Sequence, residues 1–451
     1  MPLRLLNVFC CLLALLAASV HADSPVVKTT LPNGLRVLCR REPGTPLVAV
    51  DIFVRAGVAQ ETADTAGLGS FVARTLLAST TSSTPETMSA SINALGGNVT
   101  AIWHTDWTQV AALTVPDRLS DTMYLLADVL QNADFDPAAV EQARTQMLGE
   151  RDTRDADQFS MAYGNLQKAL FAGTAYARPD GGTPATLQRL TRDDLLRYYQ
   201  RYYLPQNIVI VVVGNVSPEA ATAQIQASLG DFVRVGTVTA PAGSPLPPLT
   251  QPQPPTRVYQ TDLTQQLVLA GVRAVPASDP DYPALLVANA LLGGMKSGRL
   301  FTQLREKEGL AYDLGSLYTP RLTTGDLTAY VYSAPTRTDP TTKKTMPTVG
   351  PVKVSLFAQF AALAGTPPTP AALARAQHFL IGTDALKHER LEDRATLLGV
   401  AELTGPEGYT LDTEFAKYIN AVTAADVQRV AQKYFAHPVL STVEPQLAVG
   451  G

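Results

Sequence analysis

Two kinds of hydrophobic spacing alternate along the chain and recur in the same order in its two halves. Residues 31–43, LPNGLRVLCRREP, place a Pro-Asn-Gly turn before an extended run, and 47–57, LVAVDIFVRAG, follow as its expected hairpin partner. TRVYQTD (256–262) and QQLVLAGVRA (265–274) repeat that opening. Helical spacing follows at 68–79, 86–95, 120–131 and 137–154, and again at 281–291, 299–307, 350–364 and 370–388. A strand is expected over GNVTAIWHTDWTQVAAL, 97–113. Each half closes with a helix and a strand: TRDDLLRYYQRYY (191–203) before IVIVVVG (208–214), and TAADVQRVAQKYF (423–435) before VLSTV (439–443).

The two closing helices stand at a constant offset of 232, with Thr191/Thr423, Asp194/Asp426, Arg197/Arg429, Gln200/Gln432 and Tyr202/Tyr434 identical. In each, Thr is followed three positions on by Asp, a variant of the capping box. Leu195, Tyr198, Tyr199 and Tyr202 then share one helix face. A repeat of this length implies a duplicated domain, not a short-repeat solenoid. Seven of the fifteen residues in 241–255 are Pro, a density that neither helix nor central strand tolerates. The expected division is a leader at 1–22, a first domain at 23–235, a Pro-rich linker at 236–256 and a second domain at 257–451. Strands, then helices, then a late strand imply an α+β fold. It has two homologous domains, each a mostly antiparallel sheet with helices packed on it, forming half of a clamshell.

Composition narrows the setting. Hydrophobic residues make up 46% and charged residues 17%, a globular balance. The net charge is -4 and no long basic run occurs, which argues against a nucleic-acid partner. Arg4, the apolar stretch 12–18 and Val20-His21-Ala22 have the layout of a secretory signal peptide. The alternative is an N-terminal anchor, but the apolar run is shorter than the ~20 residues that span a bilayer. No membrane span is expected once the leader is removed. Of three cysteines, Cys10 and Cys11 leave with the leader, so Cys39 has no intramolecular partner and reads as a small buried residue. A secreted chain of this size without disulfides fits the periplasm of a Gram-negative bacterium.

Three segments carry a family resemblance: LPNGLRV at the start, AGLGSFVARTLLAST at 66–80 and RLFTQLREKEGLAY at 299–312. Together they make the chain similar to the pitrilysin/insulinase zinc peptidases, particularly the bacterial two-domain members and the mitochondrial processing peptidase. Active members carry H-x-x-E-H on a helix, where two His share a face for Zn²⁺ and the Glu is general base. The matching stretch here is Ser70-Phe71-Val72-Ala73-Arg74. Ser70 and Arg74 stand at the ligand positions and Ala73 at the base. A neutral hydroxyl is a poor ligand, Ala accepts no proton, and a fixed guanidinium repels the metal. Glu150, 76 residues after Arg74, matches the third ligand and is the one that remains. No metal is therefore expected in this chain. The fold is expected to bring Arg74 to Glu150 as a counter-charge, with charged atoms within ~4 Å.

No second zinc site is legible elsewhere. His104, His378, His388 and His437 include no pair three to five apart. His378 and His388 read as surface or packing residues, and His104 as sheet surface. Gly293-Gly294 reads as a short loop without the G-K-[ST] of a phosphate loop.

The resemblance also implies what is kept. Arg305, near the end of its helix, and Tyr312, seven residues on, would bind substrate near the scissile carbonyl and stabilise its oxyanion. Gly309 suits the helix C-cap between them. Thr100, Ala101, Ile102 and Trp103 match the edge strand that pairs with an extended peptide. The implied function is a non-catalytic subunit of a heterodimeric zinc peptidase. A homologous partner with intact H-x-x-E-H would hold the zinc and a peptide would be the substrate. The alternatives are a peptide-binding or chaperone-like homodimer and a structural core-type subunit. Residues 334–350 read as a long polar loop of no assigned role.

Overall fold

The computed structural model describes residues 24–446 except 97, 240–245, 262 and 339–340. The expected leader, with Cys10 and Cys11, lies outside the described residues, as do Pro241 and Pro245 of the linker. The first sheet comprises β1 (Val27–Thr30), β2 (Arg36–Arg41), β3 (Val48–Val54), β4 (Val99–Trp103), β5 (Thr108–Thr114) and β6 (Ile208–Gly214). Its spatial order is β1-β2-β6-β3-β5-β4. The second half adds β7 (Thr256–Gln260), β8 (Gln266–Ala274), β9 (Asp313–Pro320), β10 (Gly325–Ser333), a small hairpin of β11 (Thr336–Thr338) and β12 (Thr345–Pro347), and β13 (Val439–Pro445). The second sheet runs β7-β13-β8-β10-β9. Stripped of β1, the two sheets have one topology. In each, the late strand lies parallel to the opening strand, β2–β6 and β7–β13, and the other neighbours are antiparallel.

That order corrects three expectations. The runs 31–43 and 47–57 are not hairpin partners, because β6 lies between β2 and β3, and β13 likewise separates β7 from β8. The reason is burial. Every residue of β6 and of β3 is buried, so these strands need neighbours on both edges and cover on both faces. Residues 97–113 are two strands. The chain reverses at 104–107, where the His104 N–H donates to the Trp107 carbonyl at 2.8 Å and brings Trp103 opposite Thr108. Finally, 334–350 is not all loop, since it contains β11 and β12 and ends in the helix Val349–Gly365.

The closing helices form as their sequences dictate. Thr191 Oγ1 accepts from the Asp194 N–H at 3.3 Å while Asp194 Oδ2 accepts from the Thr191 N–H at 2.8 Å. Thr423 and Asp426 exchange the same two bonds at 3.1 Å each. Leu195, Tyr198 and Tyr199 are buried and Tyr202 packs at the margin of the same core. Cys39 is buried, and burial pushes its thiol up to about 11.

Two helices with no assigned expectation tie the halves together. Leu391–Thr404, from the second half, lies on the outer face of the first sheet. Its Ala395, Leu398 and Leu403 share a core with Phe53, Val209, Val211 and Val213. Glu402 on this helix is buried and accepts from Lys28 Nζ at 2.7 Å and Arg36 Nη1 at 3.0 Å. Gln158–Leu170, from the first half, does the converse. Its Ala162, Leu166 and Leu170 pack with Leu267, Leu269, Val439 and Val443 of the second sheet. Each large apolar side chain so buried contributes about 1.5–3 kcal/mol. Among the described residues, no single helix is long and apolar enough to cross a bilayer. The pair Val349–Gly365 and Pro370–Lys387 reaches that length only across a 107° bend.

Gly399 lets the crossing helix approach the sheet, since a Cβ there would lie 1.9 Å from the Phe53 ring. Gly382, in the helix Pro370–Lys387, has no atom within 4 Å of such a Cβ. One substitution should therefore act with opposite signs in urea unfolding. Gly399→Ala is expected to cost about 1–3 kcal/mol through overpacking. Gly382→Ala should leave stability unchanged or raise it by up to about 1 kcal/mol through helix propensity.

Candidate functional site

The helix Leu68–Thr75 starts at Gly67, whose φ of 92° belongs to the left-handed region, and has no side-chain cap of its own. Glu61 serves instead. Its Oε2 accepts from the Gly67 N–H at 3.0 Å and its Oε1 from the Gly69 N–H at 2.8 Å. A carboxylate at this helix end completes two orphan donors and opposes the helix dipole. Burial nevertheless dominates and pushes the Glu61 carboxyl up to about 7. The helix turns Phe71, Val72 and Ala73 into the core, leaves Ser70 half-buried and points Arg74 outward.

The long helix Pro137–Ala156 runs against it and delivers Glu150. Arg74 Nη2 and Glu150 Oε2 form a direct ion pair, as expected. Both side chains are partly exposed, at 35% and 50%, so the pair contributes at most about 1 kcal/mol. Its meaning is chemical. The one carboxylate ligand is held by a guanidinium, beside a hydroxyl and a methyl group. This set does not fit zinc, and among the described residues no cluster of three His, Cys, Asp or Glu side chains is suited to a metal.

Strand β4 borders this helix and is the last strand of its sheet. Among the described strands it pairs with β5 alone, so the backbone groups of its other edge face away from the sheet. Val99 and Ala101 lean on the core, whereas Ile102 is 48% exposed. Trp103 closes the strand. Its ring packs against the core between the halves, and its indole N–H is buried without a partner. Gly69 makes room for it, because a Cβ there would lie 2.7 Å from Trp103 Nε1 and 2.9 Å from the Tyr198 hydroxyl.

In the second half, Phe301–Lys307 is a wide helical turn that ends before Gly309, whose φ of 61° fits the expected cap. Tyr312 precedes β9 by one residue and its N–H donates to the Tyr332 carbonyl at 3.0 Å. β9 is the edge strand of the second sheet, the counterpart of β4. Arg305 lies over the Phe301 ring at 4.9 Å, and Tyr312 is 74% exposed. Among the described residues, no hydrogen bond or ring contact joins these two side chains. Gly293 and Gly294 are not a loop but the last helical turn, where Gly293 approaches the backbone of Gly315 and Ser316.

The histidines occupy separate settings. His104 lies in the β4–β5 turn, stacked on Trp107 at 5.3 Å and bonded to Gln109 at 3.2 Å, and burial lowers its pKa. His378 is exposed. His388 is more than a surface residue. It bonds Asp412 at 3.0 Å and lies near Asp384, and the hydrogen bond to Asp412 raises its pKa to about 8. A buried polar network then joins the halves. Asp106 accepts from the Tyr176 hydroxyl at 2.7 Å and the Leu322 N–H at 2.9 Å, while Arg321 reaches Asp326 at 2.9 Å and Gln167 at 2.8 Å. Neither Glu61 nor this network carries a sequence signal. Both depend on residues brought together from distant segments.

Two homologous sheet-and-helix halves, with a helix at 68–75 facing Glu150, are the frame of a two-domain peptidase-like protein. The family model described as insulinase (peptidase family M16) matches residues 36–183, and the one described as peptidase M16 inactive domain matches 189–380. The chain is 31% identical over 312 residues to an uncharacterized zinc protease of Mycobacterium leprae, covering 69% of this chain and 70% of that one. It is 27% identical over 434 residues to an uncharacterized zinc protease of Streptomyces coelicolor, covering 94% and 91%. It is 24% identical to the beta subunit of the mitochondrial-processing peptidase of Dictyostelium discoideum, covering 90% and 86%. The chain belongs to peptidase family M16, the pitrilysin/insulinase family. The fold matches a protease from Helicobacter pylori with a TM-score of 0.83 at 18% identity, covering 94% and 100%. It also matches a peptidase M16 inactive domain structure from Pseudomonas fluorescens with a TM-score of 0.80 at 20% identity, again covering 94% and 100%.

The Glu61 shift has a testable sign. The folded carboxyl titrates near 7 and the unfolded one near 4.5, so the folded chain keeps a proton that the unfolded chain releases. Stability from Glu61 is full below about pH 4.5 and is lost as pH rises through about 7. Glu61→Gln is expected to remove that slope. Its unfolding free energy should fall less than that of the unaltered chain between pH 5 and pH 8, by on the order of 2–3 kcal/mol in urea titrations.

Proposed function

We propose that the chain is the non-catalytic subunit of a two-subunit zinc peptidase, secreted to the periplasm. The observation that carries this reading is the ion pair of Arg74 with Glu150 at the ligand positions, beside the free edge of β4. The parts for metal chemistry are gone, while the part that holds an extended peptide by its backbone needs no particular side chains. Arg305, in the helix Phe301–Lys307, and Tyr312, one residue before β9, are exposed and have no polar side-chain partner among the described residues. In this reading they serve a second chain's zinc site, where a guanidinium and a phenol stabilise the developing oxyanion. Among the M16 relatives is one whose name makes it a subunit of a peptidase, which supports an assembly of unlike chains. Zinc and the general base belong to the partner with intact H-x-x-E-H.

Cleavage of an unstructured peptide is expected only when the mature chain is mixed with such a partner. Arg305→Ala should then lower kcat/KM by roughly 10²–10³. Activity of the chain alone, or full activity of the mixture with Arg305→Ala, would sink the reading. Peptide binding without cleavage in any mixture would favour a homodimeric binding module instead.

In this reading, restoring the motif side chains restores metal binding. The unaltered chain is expected to retain no zinc after dialysis. Ser70→His, Ala73→Glu and Arg74→His together should bind about one zinc per chain through the restored pair and Glu150, read by metal analysis.

A further inference from the structure

The helices of the second half enclose a cavity of about 380 Å³, within the range of small-ligand sites. It lies where the turn before Phe301–Lys307 meets the end of Val349–Gly365 and the start of Pro370–Lys387. Leu291, Met295, Leu363 and Pro367 give it apolar walls. Three cations, Arg299, Lys307 and Arg375, stand exposed around it, and no carboxylate lines it.

The three cations have no partners of their own. Among the described residues, none of them forms an ion pair or a side-chain hydrogen bond. The carboxylates of the same turn, Glu306 and Glu308, lie outside the lining. Glu308 accepts instead from Gln303 Nε2 at 2.6 Å and Ser355 Oγ at 3.0 Å. Burial lowers the pKa of Arg299, and no carboxylate acts to raise it. A second, independent feature is an amide. Gln359 is 8% exposed and lines the cavity, yet its side chain makes no hydrogen bond to any described residue. Its polar atoms are not among those sealed in the packing, so they keep access through the cavity. An amide donates and accepts at once, and its natural complement is another amide.

We infer that this cavity holds the C-terminal residue of a peptide. The three features match the three parts of such a residue. Arg299, Lys307 and Arg375 take the terminal carboxylate through charge-assisted bonds. Gln359 pairs with the last backbone amide, and the apolar walls receive an aliphatic side chain. An inorganic anion would engage the cations and leave Gln359 and the walls unused. The site is made by the second half alone, apart from β4 and the Arg74–Glu150 pair, and does not rest on the proposed subunit role.

The test is direct binding to the full mature chain, read by calorimetry. The probes are acetyl-Ala-Ala-Leu with a free carboxylate, the same peptide with an amidated end, 4-methylpentanoate and inorganic phosphate. The free-acid peptide is expected to bind about tenfold or more tightly than its amide. Arg299 and Arg375 are exposed, so their replacement is compatible with folding. Arg299→Gln with Arg375→Gln should remove that preference, and Arg299→Lys with Arg375→Lys should keep it. Gln359→Met, nearly the same in shape, should weaken the free-acid peptide about threefold to tenfold. It should leave 4-methylpentanoate unchanged, since that acid has the carboxylate and the apolar body but no amide. Equal affinity for the two peptides, or no binding of either, would overturn the inference. A preference that survives the double Gln variant would overturn its assignment to this cavity. Phosphate binding as tightly as the free-acid peptide would overturn the peptide as ligand and leave a plain anion site.

Discussion

The structure depends on an exchange of cover between its halves. Each sheet is apolar on both faces, and each half packs its own helices on one face only. The other face of the first sheet is closed by Leu391–Thr404 from the second half, and that of the second sheet by Gln158–Leu170 from the first. Separated halves would expose fully buried residues such as Phe53, Val211, Leu267 and Val443 to water. The hydrophobic effect therefore holds the halves in a fixed relation, despite the Pro-rich segment between them. Glu402 with Lys28 and Arg36, and Asp51 with Gln109 and Thr396, add polar register to the first contact. Asp51 is held there at a cost, since burial pushes its carboxyl up to about 6.

The candidate site follows from that frame. Gln158–Leu170 must cross to the second sheet, and it follows directly on the long helix that carries Glu150. The same crossing brings Gln167 to Arg321 and encloses a cavity beside β4. The Arg74–Glu150 pair and the outer edge of β4 thus share one structural origin. Loss of the metal ligands does not disturb this frame. Arg74 and Glu150 are on the outside of their helices, and the residues that fix those helices, Phe71, Val72 and Met147, remain apolar and buried. A protein can in this way lose the chemistry of a peptidase and keep its shape.

Arg305 and Tyr312 show the same separation. Their backbone setting is fully determined by the Gly309 turn and the β9–β10 ladder. Among the described residues, Arg305 lies over the Phe301 ring, and neither side chain has a hydrogen-bond or ion-pair partner.

The amino-acid sequence by itself determined what is local. The two capping boxes, the buried face of Leu195, Tyr198 and Tyr199, the Gly309 cap and the duplication all rest on residues within a few positions of each other. The departure from H-x-x-E-H at 70–74 was equally legible, because it is a matter of which side chains are present. The Arg74–Glu150 pair was legible only through the family resemblance, which supplied the distant position. Strand order was not legible, because an all-apolar strand such as β6 specifies burial and not its neighbours. The inward turn of Trp103 depends on the space that Gly69 leaves, and the raised carboxyl of Glu61 on two backbone donors and the walls around them. The two crossing helices were missed as links because a helix's apolar stripe shows that it is covered, not by which sheet. Those choices are made by contacts between segments far apart in the chain, and only the tertiary structure contains them.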